Sequence, residues 1–309
     1  MSLTFLADSG YTLRSEELEV HVLPREGSRI ASLRSRSSGL EFLTQSHRQG
    51  PYPSQGLDTP FQAGSCAGIE ECLPSVGPCG SEADGGPVPD HGDFWQLQWD
   101  VLQSTDHVLT IEAQGFSRLL QLRKTLTLQG NQLHVAYSIR NMADVPQSFL
   151  YACHPLFAVD PGDTVILPDC VQTLRLDYSR HSRLGFAGDN VRWPEANSGV
   201  QLDHVLAADA GTADMLYTGR LSIGECAIQR KATGQMMRVL FPVETLPYLG
   251  VWLCYGGWPD DTTEHSQYAV ALEPTTAPWN TLAQAQTERA ATTLIPGGTY
   301  EFEITFQVV

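Results

Sequence analysis

Four stretches of this 309-residue chain hold side chains able to take up or release a proton near neutral pH. "AGIEECLPSVGP" (67–78) carries the adjacent pair Glu70 and Glu71, and "VPDHGDFWQLQW" (88–99) carries Asp90, His91 and Asp93. "SFLYACHPLFAVDPGD" (148–163) places His154 inside an apolar run and directly before a proline. "YAVALEPTTAPWNTL" (268–282) ends an apolar run on Glu273, where Pro274 stops it. A carboxylate and an imidazole suit paired removal and delivery of protons at about pH 7. Each stretch also has a plainer reading. Glu70–Glu71 reads locally as a solvated loop pair, His91 before Gly92 as a turn residue, and His154 as a hydrogen-bonded core histidine. Glu273, costly to bury alone, could be matched by an arginine salt bridge as well as by a poised role.

Other chemistries find less support. His91, His154, Glu70 and Glu273 could together form a two-histidine, two-carboxylate metal site. Their separations are long, however, and no HxH or HxxxH spacing occurs, so no metal is expected. Cys66, Cys72 and Cys79 lie six and seven residues apart rather than as CxxC, which argues against zinc. The sequence contains no GxSxG elbow, no P-loop and no GxGxxG fingerprint.

These residues must be held by elements whose dominant period is two. "ELEVHVL" (17–23), "HVLTIEA" (107–113) and "QLHVAYSIRN" (132–141) alternate apolar and polar residues. In the third, Leu133, Val135, Tyr137 and Ile139 share one face, opposite Gln132, His134 and Ser138. "RLLQLRKTLTLQGNQLHVAYSIRN" reads as two long strands joined at "QGN". Further strands are predicted at 29–36, 94–99, 147–154, 220–229, 236–241, 248–254, 267–273 and 299–308. One short helix is predicted over 280–291, with Asn280 as its N-cap. Many short strands with Gly and Pro punctuation indicate an all-β sandwich or barrel. Residues 44–67, 74–93 and 177–200 are long irregular segments, of the kind that usually carries function. No linker or repeat divides the chain, so residues 1–309 are expected to form one domain.

The 35 acidic and 19 basic residues give a formal net charge of −16, a field that repels nucleic acid and anionic membranes. No apolar window is long enough for a transmembrane helix. The N-terminus "MSLTFLADSGYTL" lacks the basic and apolar regions of a signal peptide. Seven scattered cysteines, an odd number, fit reduced thiols in a cytoplasm. The sequence does not indicate an oligomeric state.

Taken in order, the four stretches resemble the aldose 1-epimerase (galactose mutarotase-like) family over nearly the whole chain. "GIEECLPSVGP" resembles its early segment, "VPDHGDFWQLQW" its His-Gly element and "YACHPLFAVD" its strand-end histidine. "FPVETLPYLGVWLCYGG" resembles a late strand ending in Trp, and "VALEPTTAPW…LIPGGTYEFEITFQV" its Glu-Pro-x-Thr element and closing strand. The resemblance implies an all-β β-supersandwich with few short helices and a sugar cleft on one face. It implies an isomerase that interconverts the α and β anomers of a free aldose without a cofactor. On this sequence the base falls on Glu273 and the acid on His154, with His91 as a sugar-binding histidine. Glu70, Glu71 and Asp90 are candidates to hold the His154 charge or contact the substrate. Trp252, with Trp95 and Trp258, is a candidate for stacking on the sugar ring. Where many galactose mutarotases carry an arginine-containing segment, acidic residues stand here, which leaves the sugar open. Two other readings also stay open: a non-catalytic monosaccharide-binding protein on the same scaffold, and a related carbohydrate-active hydrolase or lyase.

Overall fold

The computed structural model describes residues 10–48, 52–259 and 266–309. The signal-peptide reading therefore rests largely on residues outside the described ones, as does part of the 44–67 segment. In chain order the strands are β1 (Tyr11–Arg14), β2 (Leu18–Leu23), β3 (Arg29–Ser35), β4 (Gly68–Cys72), β5 (Asp100–Ser104), β6 (Val108–Gln114) and β7 (Leu120–Gln129). They continue as β8 (Gln132–Asn141), β9 (Gln147–Phe149), β10 (Ala152–Phe157), β11 (Thr164–Ile166), β12 (Thr173–Ser179), β13 (Asn190–Arg192) and β14 (Thr212–Thr218). The last are β15 (Glu225–Gln229), β16 (Met236–Leu240), β17 (Tyr248–Tyr255), β18 (Tyr268–Thr275), β19 (Thr292–Leu294) and β20 (Thr299–Val308). Among the described residues one α-helical segment, α1 (Leu282–Thr287), precedes β19.

Ten strands form one sheet in the order β1-β2-β3-β4-β10-β18-β17-β14-β12-β13, and eight form another in the order β11-β15-β16-β20-β8-β7-β6-β5. The pairings are antiparallel, so each strand can bury one face and free the other. The main core lies between the two large sheets. Leu133, Val135, Tyr137 and Ile139 of β8 are buried there, as their alternation predicts, against Ile69 of β4, Phe157 of β10 and Leu272 of β18. The β7–β8 hairpin turns at Gly130–Asn131, with Gln129 paired to Gln132. The all-β architecture expected from the period-two pattern is the one observed.

Several local expectations need correction. Residues 94–99 do not form a strand: Phe94–Gln96 make a buried 3₁₀ turn. Indole hydrogen bonds close it, from Trp95 Nε1 to the Asp90 carbonyl (2.8 Å) and from Trp99 Nε1 to the Phe94 carbonyl (3.1 Å). The predicted strand 147–154 is two strands in different sheets, because β9 pairs with β19 and β10 joins the ten-stranded sheet. Residues 220–224 precede β15 as an irregular segment with a bend at 222–223. The helix is shorter than predicted, and its N-cap is Thr281 rather than Asn280, with Thr281 Oγ1 accepting from the Gln284 N–H (3.2 Å). The irregular segment 177–200 contains the end of β12 and all of β13.

Candidate active site

Antiparallel register builds the site. Ala152–Thr275 and Leu156–Ala271 are partners across β10 and β18, and they bracket His154 and Glu273 symmetrically. The two side chains therefore stand opposite each other on one face, although 119 residues separate them in sequence. His154 Nδ1 lies 3.0 Å from Glu273 Oε1, and both residues are buried. The carboxylate accepts, so Nδ1 carries the shared hydrogen and Nε2 is left for another partner. Glu273 Oε2 is buried with no hydrogen-bond partner among the described residues. Beside it on β17, Gly250 pairs with Glu273. A Cβ there would come within 2.9 Å of Met215 Cε and 3.2 Å of Glu273 Oε2, so glycine keeps the space next to that oxygen clear.

His154 and Glu273 both line a cavity of about 340 Å³, near the lower limit of small-molecule sites. Burial alone would lower the His154 pKa. The Glu273 carboxylate, through charge and hydrogen bond, and Glu70 behind it raise the value above its ordinary range. The imidazole is thus held toward its protonated form.

The 88–99 stretch supplies the second histidine. His91 and Gly92 both have positive φ (58° and 74°), a conformation that is costly for any residue but glycine. Packing enforces it: a Cβ at position 92 would sit 2.1 Å from the Leu73 carbonyl oxygen, so only glycine fits against β4's end. The turn brings the His91 ring onto Phe61 as a parallel stack with centroids 3.7 Å apart. It meets the His154 ring edge-on at 5.4 Å. Asp90 holds His91, with Oδ1 2.8 Å from Nδ1, while its Oδ2 accepts the Phe61 N–H (3.0 Å). Burial would raise the Asp90 pKa, but the hydrogen bonds and charge from His91 outweigh it and bring the group below its usual value. Asp90 is placed as the support of His91 and is not among the residues lining the cavity.

Period two separates the glutamates. Glu70 pairs with His154 across β4 and β10 and shares its face, whereas Glu71 points the other way. Glu70 is 1% exposed, and neither carboxylate oxygen has a hydrogen-bond partner among the described residues. The nearby Tyr52 hydroxyl donates to the Trp95 carbonyl instead (3.0 Å). Burial pushes the Glu70 carboxyl up to about 7, against the pull of Arg29 and His154. The folded state therefore binds this proton more tightly than the unfolded chain, and its stabilising effect fades as pH rises from about 4.5 to about 7. Glu70→Gln removes the titration. Relative to that variant, wild-type stability should decline between pH 5 and pH 8 in thermal unfolding; a difference that stays flat would contradict the assignment.

Two expectations are corrected by this geometry. Glu71 does not reach the cavity, because its carboxylate lies in the sandwich core. Lys124 Nζ (2.9 Å) and the Tyr137 hydroxyl (3.2 Å) donate to its Oε1, and the Tyr151 hydroxyl (2.7 Å) to its Oε2. Trp95 is fully buried and cannot stack on a ligand. Trp252 and Trp258 do line the cavity. Trp252 is fixed by its Nε1 donating to Gln267 Oε1 (2.6 Å).

The sequence alone did not single out the opposite wall. Phe61 and Val76 come from the irregular segments 44–67 and 74–93. Asp177, Tyr178, Met215, Gln267 and Asn280 complete the lining among the described residues. The only sequence signal for Phe61, Val76, Asp177 and Tyr178 was their place in the long irregular segments, and Met215 had none. Among the described residues no three His, Cys, Asp or Glu side chains are arranged to hold a metal ion.

No protein-family model matches this sequence, and a search of curated proteins finds no match. Solved structures do share the fold. A galactose mutarotase-like protein from Lactobacillus casei superposes with a TM-score of 0.69 at 16% identity, covering 97% of this chain and 100% of that one. An aldose epimerase homologue from C. elegans gives 0.66 at 13% identity, over 97% and 98% of the two chains. A Synechocystis protein whose name states no activity gives 0.71 at 19% identity, over 100% and 99%. This chain thus has the galactose mutarotase-like fold along essentially its whole length.

Proposed function

We propose that this chain is an aldose 1-epimerase-like isomerase that interconverts the α and β anomers of a free sugar by acid–base ring opening. The observation that carries this reading is the His154–Glu273 pair in one cavity, joined through Nδ1 and Oε1, so that His154 Nε2 is not used in the pair and Glu273 Oε2 has no hydrogen-bond partner among the described residues. Glu273 Oε2 takes the proton from the C1 hydroxyl, and the C1–O bond gains double-bond character. The bond from C1 to the ring oxygen breaks as His154 Nε2–H protonates that oxygen. Rotation about C1–C2 and the reverse steps give the other anomer. Both catalytic groups return to their starting state, so the cycle needs no cofactor. His91, fixed by Asp90 and Phe61, holds the sugar beside His154 in this reading. Trp252 and Trp258 offer aromatic surface for a sugar ring.

The fold neighbours' names support the sugar-directed reading. The structure weakens the motive for a glycoside hydrolase built on Glu70 or Glu71: Glu71 lies in the core, and Glu70 is not among the residues lining the cavity. The seven unpaired thiols are consistent with a cytoplasmic location. The test is exchange NMR on free aldoses with the wild-type protein. Exchange between anomeric proton signals well above the buffer rate is expected for at least one sugar. A buffer rate for every sugar would overturn the isomerase assignment.

A further inference from the structure

The cavity wall beside the reacting pair, on β14 and β12 of the same sheet, is shaped by a fault in register. Along one transverse row, Glu70 pairs with His154, Glu273 with Gly250, Gly250 with Tyr217, and Tyr217 with Arg175. Along the next, Ala271 pairs with Trp252, Trp252 with Met215, and Met215 with Tyr178. On β14 the step from Tyr217 to Met215 is two residues, but on β12 the step from Arg175 to Tyr178 is three. The extra residue makes a β-bulge between Leu176 and Tyr178, and Asp177 lies within it. Such a bulge can re-aim a side chain that regular alternation would place elsewhere. Here Asp177 and Tyr178 are consecutive, yet both line the cavity.

Asp177 gives this wall an unusual charge character. The described residues lining the cavity include two carboxylates, Glu273 and Asp177, and no lysine or arginine; the His154 imidazole is hydrogen-bonded to Glu273, so Asp177 is the carboxylate left without a histidine partner. The nearest cation, Arg175, reaches Asp177 Oδ1 only at 3.4 Å. It is engaged elsewhere, donating to the Pro278 carbonyl and stacking 4.0 Å from the Trp279 ring centroid. The Asp177 side chain is 16% exposed, and burial holds its carboxyl above the ordinary value against the pull of Arg175. A carboxylate so desolvated, with the Arg175 guanidinium at the edge of hydrogen-bond range, gains from donors that a ligand brings. It repels a ligand anion for the same reason.

We propose that Asp177 is a specificity-determining residue. Its carboxylate accepts hydrogen bonds from hydroxyl or ammonium groups on sugar carbons remote from C1, and it turns away sugars carrying a phosphate or carboxylate there. This rests on the mutarotase reading for the identity of the ligand as a sugar. The test uses wild type and Asp177→Asn on glucose, galactose, glucosamine, glucose 6-phosphate and glucuronate. Anomer exchange is followed by NMR, and binding by the fluorescence of the cavity tryptophans. For wild type, the neutral and amino sugars should be preferred over the two anionic ones by on the order of ten-fold or more in kcat/KM. In Asp177→Asn, KM for the neutral and amino sugars should rise about ten-fold with kcat changed much less, because a binding contact rather than a reacting group is altered. The penalty on anionic sugars should shrink. The proposal is overturned if wild type uses anionic sugars as well as neutral ones, or if Asp177→Asn leaves KM and the order of the panel unchanged. The fluorescence arm separates the two readings. Sugar binding weakened by Asp177→Asn without any exchange sustains the role of Asp177 and sinks the isomerase reading. Binding of no sugar in the panel sinks both.

Discussion

Glu273→Gln should lower the rate of anomer exchange by about 10²–10⁴-fold while leaving the protein folded. Glutamine keeps the size of the side chain and can still accept at Oε1 from His154 Nδ1, so the 3.0 Å contact survives. What is lost is the basic oxygen: Oε2, now unpartnered and buried, becomes an amide nitrogen that cannot take the C1 hydroxyl proton. His154→Asn should produce a loss of similar size by removing the proton delivered to the ring oxygen. In the proposed mechanism the two residues act on the same bond as a unit. The double variant should therefore fall little below the slower single variant, rather than to the product of the two losses. Exchange NMR at saturating sugar, with circular dichroism to show that the sheets persist, reads the result. Either single variant turning over at the wild-type rate would remove that residue from the mechanism.

Lys124→Met should cost about 3–5 kcal/mol of folding stability, the largest effect expected from any single change away from the cavity. Lys124 and Glu71 are both 0% exposed, and their ion pair spans the two large sheets at 2.9 Å. The ammonium also donates to the Ser28 carbonyl (2.9 Å) and lies 5.3 Å from the Trp99 ring centroid. Methionine matches the length of the lysine stem but leaves Glu71 charged in the core, with only the Tyr137 and Tyr151 hydroxyls to support it. Most of the cost comes from that stranded charge. Adding Glu71→Gln to Lys124→Met removes the charge and keeps a carbonyl oxygen for the tyrosines, so the double variant should recover at least about 1 kcal/mol. Urea unfolding at pH 7 measures both, the midpoint shifting while the slope stays constant. A Lys124→Met midpoint equal to wild type would show that the pair contributes nothing net. Anomer exchange per folded molecule should be unchanged, since Glu71 faces away from the cavity.

These two glutamates show where a linear reading stops. As "EE" in a segment rich in Gly and Pro, they gave no period to read and passed as a loop pair. Once β4 is zipped between β3 and β10, strand geometry sends one to each face. One then becomes a neighbour of His154 and the other a core ion. The same holds for β12. "TLRLDYS" alternates like any strand, and no local feature announces an inserted residue. A bulge is defined only by counting against the partner, and that partner, β14, lies some 35 residues further on.

From the sequence alone came the elements governed by nearest neighbours and by alternation: the all-β class, the β7–β8 hairpin with its turn, the buried face of β8, and the four stretches bearing acids, bases and histidines. The tertiary structure alone determined which of those residues share a cavity. The meeting of His154 with Glu273, the burial of Trp95 and the placement of Asp177 depend on pairings between strands distant along the chain. Such pairings follow from the joint burial of two sheets and from no local preference. A shift of one residue in any of them would turn its side chains to the opposite face.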